Sequence, residues 1–185
     1  MRIGRIRLLV VMLAVFAMCL QATTIVPMSV EELTQASTHV VVAQALESRT
    51  EWNADKTIIF TITTFQVSES LKGQAARTLA VRQMGGRTKH YEQKVAGVRH
   101  WQPGDQSVLF LRPSIAGDGT MAVVGLMQGD FRVIQATDQP GESVVSNGVA
   151  SVHAYDPSKR SSSEFSGTRM TLNDLKSRVR KAVTQ

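Results

Sequence analysis

The one chemically rich stretch of this chain lies between Gly85 and Trp101. It opens with Gly85-Gly86-Arg87-Thr88-Lys89-His90-Tyr91 and closes with Arg99-His100-Trp101. It carries Arg87, Lys89, Lys94 and Arg99, flanked by Arg82, against the single acid Glu92. Aromatic side chains and arginines are what binding hot spots favour, and long loops are where recognition residues tend to sit. The expected partner contacts are therefore Arg87, Lys89, Tyr91, Arg99 and Trp101. The bland alternative is a tolerated surface insertion. Nothing in the pattern requires these side chains for folding, except Trp101, which can cap the core ahead of Pro103.

Other chemistry is thin. The chain has no phosphate-cradling Gly-Lys-Ser/Thr loop, no Gly-x-Ser-x-Gly elbow and no His-Glu-x-x-His helix. His39, His90, His100 and His153 are scattered. His90 and His100 with Glu92 could compose a metal site in the loop. The alternative is two solvated loop histidines, and no cofactor or metal is expected. Asp105 and Asp130 each follow a glycine at a strand start, where a turn cap explains them. Cys19 is the only cysteine and falls in the leader described below, so a thiol nucleophile or a cysteine zinc site is not expected in the exported chain.

The elements that must position this loop are mostly strands. Trp101 to Val133 holds two apolar runs, Val108-Leu109-Phe110-Leu111 and Met121 to Met127, expected as neighbouring central strands. Gly125 interrupts the second run, where a bulge or close backbone approach is expected. His39 to Glu47 reads as a strand because of its three valines, and Trp52 to Lys56 as a polar turn. In the next strand Ile58, Phe60 and Ile62 share one face, and a β-bulge near Thr63-Thr64 would bring Phe65 and Val67 onto it. Thr78 to Met84 is a third strand, with Leu79 and Val81 on one face and Arg82 on the other. Beyond Val133, Gln139-Pro140-Gly141 is a turn, and Val144 to Val152 is expected as a tight hairpin about Asn147-Gly148.

Two helices flank the strands. Ser29 and Glu32 form a capping box for a short helix ending near Ser37. Thr171 and Asp174 cap a last helix whose apolar stripe is Leu172, Leu175, Val179 and Val183. Lys176, Arg178, Arg180 and Lys181 lie opposite, toward the end where the helix dipole favours cations. That helix is expected to pack on the strands. A basic helix on a membrane is the rival, but its stripe is narrow and lacks Trp and Phe.

The first 22 residues read as a secretory leader. Arg2, Arg5 and Arg7 precede an apolar run from Leu8 to Ala17, too short to span a bilayer. Cleavage after Ala22 is expected. An uncleaved anchor and a lipidated Cys19 are the alternatives. The formal charge of +6 would fall to 18 − 15 = +3, since the leader holds three Arg and no acid. The rest is uneven: Lys72 to Arg112 has eight Lys/Arg against Glu92 and Asp105, and 23–71 and 113–158 are net acidic. A basic face for an anionic partner is one reading, solvated strand edges the other. Aromatic content of 5% argues against a base-stacking nucleic-acid platform.

The order of the motifs carries a resemblance. Ser29-x-Glu31-Glu32-Leu33 is followed by Thr38 to Ala43, then Phe65-x-Val67, Leu71-Lys72-Gly73, Pro103-Gly104-Asp105 and Val108-x-Phe110-Leu111. Over about residues 29–134 the chain resembles a set of exported bacterial proteins of unknown function. More distantly it is similar to the netrin-like module of metalloproteinase inhibitors. That resemblance implies an OB-type barrel of five strands and a binding role. The inhibitors' disulfides have no counterpart here, and Thr23 would stand where their zinc-chelating amino-terminal cysteine does.

The sequence thus predicts an all-β, OB-like small barrel with a short N-terminal helix and a C-terminal amphipathic helix. The expected layout is a signal peptide at 1–22, a barrel domain at 23–155, a flexible connection at 156–170 and a packed helix at 171–185. The expected function is a secreted or periplasmic, non-catalytic binding module with an acidic-surfaced protein partner, such as an exported protease. Neither nucleic acid nor a membrane is an expected partner. The alternative is a secreted hydrolase whose site is not recognisable in the sequence.

Overall fold

The computed structural model describes residues 24–135, 143–148, 153–156, 158 and 160–184. The leader with Cys19, the turn at 139–141 and the far arm of the 144–152 hairpin lie outside them.

The architecture grows from one apolar strand. Strand β7 (Gln106–Pro113) buries Val108, Leu109, Phe110 and Leu111 completely, so both of its faces are covered. It pairs with β2 (His39–Trp52) on one edge. On the other edge it pairs with β8 (Met121–Val123) and with β9 (Asp130–Gln135) along different parts of its length. Strand β2 pairs with β3 (Ile59–Lys72), β3 with β4 (Thr78–Met84), and β4 with β8 through Val81 and Met121. The ring β7–β2–β3–β4–β8–β7 closes on itself. Its one parallel contact joins β4 and β8, the third and fifth barrel strands in chain order, and the result is a closed five-stranded, OB-like barrel.

Alternation decides which side chains fill it. Val41, Ala43, Ala45, Phe65, Val81, Leu109 and Leu111 point inward around Trp101. The opposite parity of β2 and β7, Val40, Val108 and Phe110, points outward and is covered by two helices. Helix α1 (Val30–Ala36) contributes Val30 and Leu33, and α2 (Leu172–Val183) contributes Leu175 and Val179. The capping box of α1 is present, with Ser29 N–H donating to Glu32 Oε2 at 2.7 Å and Glu32 N–H donating to Ser29 Oγ at 3.2 Å. On α2 the buried stripe runs through Leu175, Val179 and Ala182, whereas Val183 is exposed, because a period of 3.6 carries the contact face back by one residue at the end. Arg178 clasps Glu31 of α1 through two hydrogen bonds, and Lys176 and Arg180 both reach Glu69 of β3. Glu31 and Glu69 are held below the usual glutamate range by these hydrogen bonds, led by Arg178 and Lys176 respectively.

Several expectations change. In β3 the inward residues are Ile59, Thr61, Thr63 and Phe65, one unbroken parity, so no bulge is needed at Thr63-Thr64. The threonines are buried with hydroxyl partners: Thr61 donates to Gly85 O at 2.8 Å, and Thr63 pairs with Ser48 at 2.8 Å. The nearest irregularity is on the partner strand, where the register skips Leu46 between Ala45 and Glu47. The second apolar run yields only the three-residue β8, because Gly125 and Leu126 both adopt left-handed φ and start a 3-10 turn at Leu126–Gly129. At Asn147-Gly148 neither residue has positive φ. Strand β10 (Ser143–Ser146) pairs instead with β9 and with β13 (Arg169–Thr171). Asn147 is buried, donating to Gln128 O at 2.7 Å and accepting from Thr168 N–H at 2.7 Å. The stretch 156–170 is more than a connection: it holds β12 (Ser161–Glu164), which pairs with β11 (His153–Asp156), and the start of β13.

Candidate binding cleft and the barrel-end hairpin

The segment after β4 does two jobs. Its first part folds into a small hairpin of β5 (Gly86–Arg87) and β6 (Glu92–Gln93), with Thr88 N–H donating to Tyr91 O at 2.8 Å across the turn. The hairpin closes one end of the barrel. Gln93 Oε1 accepts from Ile59 N–H at 2.7 Å, and a Cβ on Gly86 would collide with the Thr61 hydroxyl. Glycine is required there, since its φ of 138° is also one that other residues avoid.

At the hairpin tip Arg87, Lys89 and Tyr91 are exposed, as a contact surface requires. Tyr91 stands edge-on to Trp52 at the end of β2, with ring centroids 5.6 Å apart. The other two expected contacts belong to the fold. Trp101 is 1% exposed, packs edge-to-face on Phe65 at 4.9 Å, and donates its indole N–H to Asp130 Oδ1 at 3.2 Å. Arg99 donates to Gly148 O at 3.1 Å and Asp130 O at 3.0 Å, and its guanidinium lies 3.5 Å from the Asp130 carboxylate. Asp130, expected as a turn cap, is instead the buried centre of a knot that also includes Arg132 at 3.5 Å. Burial is the largest influence on Arg99 and lowers its pKa, while the Asp130 charge opposes it. His100 beside this knot is likewise pushed down, by burial first and then by Arg132. His90 sits exposed at the hairpin turn, and no group of three His, Cys, Asp or Glu converges among the described residues. Asp105 does cap its turn, accepting from Gln102 N–H at 2.9 Å.

The site that the sequence reading missed is a cleft of ≈580 Å³ on the outside of the barrel. Ile58, Phe60, Arg82, Gln83 and Met84 supply one wall, from β3 and β4 and the residues beside them. Arg112, Pro113, Ala122 and Val123 supply the other, with Ser114, Ile115 and Ala116 of the β7–β8 loop at its lip. Val98 and Leu126 complete it. Phe60 faces Met84 across the β3–β4 ladder, and Arg112 faces Ala122 across the β7–β8 ladder, so each pair shares a face. Ile115 is 102% exposed, and Met84 and Leu126 are exposed at 42% and 40%, although all three are large and apolar.

Charge in the cleft is unevenly balanced. Arg82 lies 4.0 Å above the Phe60 ring and donates to Glu51 and to Asp118, each at 2.9 Å. Asp118 is held below the usual aspartate range, mainly by its hydrogen bonds from Thr120 and to a lesser degree by the Arg82 charge. Arg112 is exposed and has no carboxylate within ion-pair distance among the described residues. No lining residue is acidic.

No family model matches the chain, and no curated protein matches it.

Proposed function

We propose that the protein is an exported, non-catalytic binding module that seats an apolar group of its ligand in the cleft on β3, β4 and β8. The carrying observation is the cleft itself: a concave, mostly apolar surface of small-ligand size with few polar groups. Its place supports the reading by fold-level analogy. OB-type barrels bind ligands on their second and third strands and on the loop between the fourth and fifth. Here those elements are β3, β4 and the 114–120 loop. Phe60 does not offer a bare ring for stacking, because Arg82 covers one face, and this disfavours a nucleic-acid ligand. Export rests on the composition of residues 1–22. The acidic-surfaced protein partner is retained for the hairpin tip alone, where Arg87, Lys89 and Tyr91 are exposed. His39, His90, His100 and His153 stand on different elements, and no observation favours the hydrolase alternative.

A neutral apolar fluorophore, N-phenyl-1-naphthylamine, tests the cleft. The protein should bind it saturably at one site, and Ala122→Phe, which fills the cleft from β8, should abolish binding while the melting temperature holds. Equal binding by a folded Ala122→Phe variant would move the site elsewhere.

A further inference from the structure

Resting on the reading of the cleft as the binding site, we propose that its occupant is a single-chain anionic amphiphile, an unbranched apolar chain ending in a carboxylate, with Arg112 receiving the carboxylate. Three observations point there. The cleft is lined by two arginines and no acid. The first, Arg82, is already matched by Glu51 and Asp118 and flattened on Phe60. The second, Arg112, is exposed and has no carboxylate of its own among the described residues. A cation entering the cleft would meet that unmatched guanidinium, and a neutral chain would leave it unused. An anion gains a charge-assisted hydrogen bond from a guanidinium whose fork matches a carboxylate.

The apolar part of the occupant follows from the walls. Ile58, Met84 and Ile115 offer aliphatic surface, and Arg82 covers a face of Phe60 that a flat ring would otherwise use. A flexible chain fits such walls better than a planar group. The ≈580 Å³ volume lies within the range of small-ligand clefts. Arg112 and Ala122 are opposite one another in the β7–β8 register, so the charged group and the space beside it lie on the same face. The chain enters along Ala122 with its carboxylate at the β7 wall.

Calorimetric titrations with decanoate and decylammonium, each below its micellar concentration, and with decanol below its solubility limit decide the matter. Decanoate should bind one to one, and decylammonium at least tenfold more weakly. Arg112→Gln should cost decanoate about tenfold in affinity, or about 1.4 kcal/mol, and leave decanol unchanged. Arg112→Lys should recover only part of the loss, because it keeps the charge but not the bidentate fork. Equal binding of all three probes, with no effect of Arg112→Gln, would overturn the anionic occupant while leaving the cleft as an apolar site. No decanoate binding, alongside binding of a peptide with an apolar C-terminal residue, would overturn the single-chain occupant. Decanoate binding that survives Ala122→Phe would instead overturn the reading of the cleft on which the proposal rests.

Discussion

On the side of the barrel formed by β7 and β2, the outward residues Val40, Val108 and Phe110 are fully buried beneath α1 and α2. On the side formed by β3, β4 and β8, the outward residues Phe60, Met84 and Ala122 line an open cleft instead. Both sides have apolar outward residues, which an ordinary barrel needs on the inside only. The chain supplies its own cover for one side and leaves the other for something else. An apolar surface that a small domain keeps open is a marker of binding rather than of stability.

The two sides should therefore respond very differently to truncation. Phe110→Ala should lose about 3–5 kcal/mol, because a fully buried ring leaves a cavity under both helices. Phe60→Ala should lose less, about 1–2 kcal/mol, since it removes a partly buried ring and a cation–π contact worth about 0.5–1 kcal/mol. Urea unfolding of the pair measures the difference, and equal losses would mean that the cleft side is as much a core as the helix side.

The same contrast runs through the segment after β4. Asp130→Ala should cost about 2–3 kcal/mol. That is below the loss for a fully buried ion pair, because Arg99 and Arg132 each keep part of their surface in water. Arg87→Ala combined with Lys89→Ala should stay within about 0.5 kcal/mol, as exposed residues usually do. Thermal melts that rank these two variants the other way would show the hairpin tip holding the barrel and the Asp130 knot idle.

A modest effect that depends on pH is expected where α2 meets α1 and β3. Glu31 and Glu69 are held below the usual glutamate value by Arg178 and Lys176, so the unfolded chain binds more protons than the folded one as acid is added. Their contribution is fully present above about pH 4.3 and is lost as the pH falls through the lowered values. Arg178→Ala should remove at most about 1 kcal/mol at neutral pH, as for exposed pairs, and the gap to wild type should narrow below pH 4. A gap that stays constant into acid would mean that Arg178 acts through packing alone.

Much of the fold is legible in the sequence because it follows from alternation and caps. The four buried residues of β7, the span of β4, the capping box at Ser29 and Glu32 and the Thr171 cap are all local patterns. What escapes depends on distant partners. Thr61 and Thr63 read as polar and so hide the inward face of β3, yet their hydroxyls are satisfied by Gly85 O and Ser48. Once that face is known, Ile58 and Phe60 stand out as apolar residues of the opposite parity, which is the available signal for the cleft, while Ile62 on the same parity is buried and does not line it. Asp130 looks like any turn aspartate until Arg99, Trp101 and Arg132 arrive from other parts of the chain. Asn147-Gly148 has the composition of a hairpin turn, but the asparagine is taken by Gln128 and Thr168.

Methyl NMR during titration with N-phenyl-1-naphthylamine tests the central claim most directly. Saturable shifts are expected at the methyl groups of Ile58, Met84 and Ile115, with Leu175 and Val179 under the helices unmoved. Shifts centred on Leu175 and Val179, or spread evenly over the barrel, would contradict it.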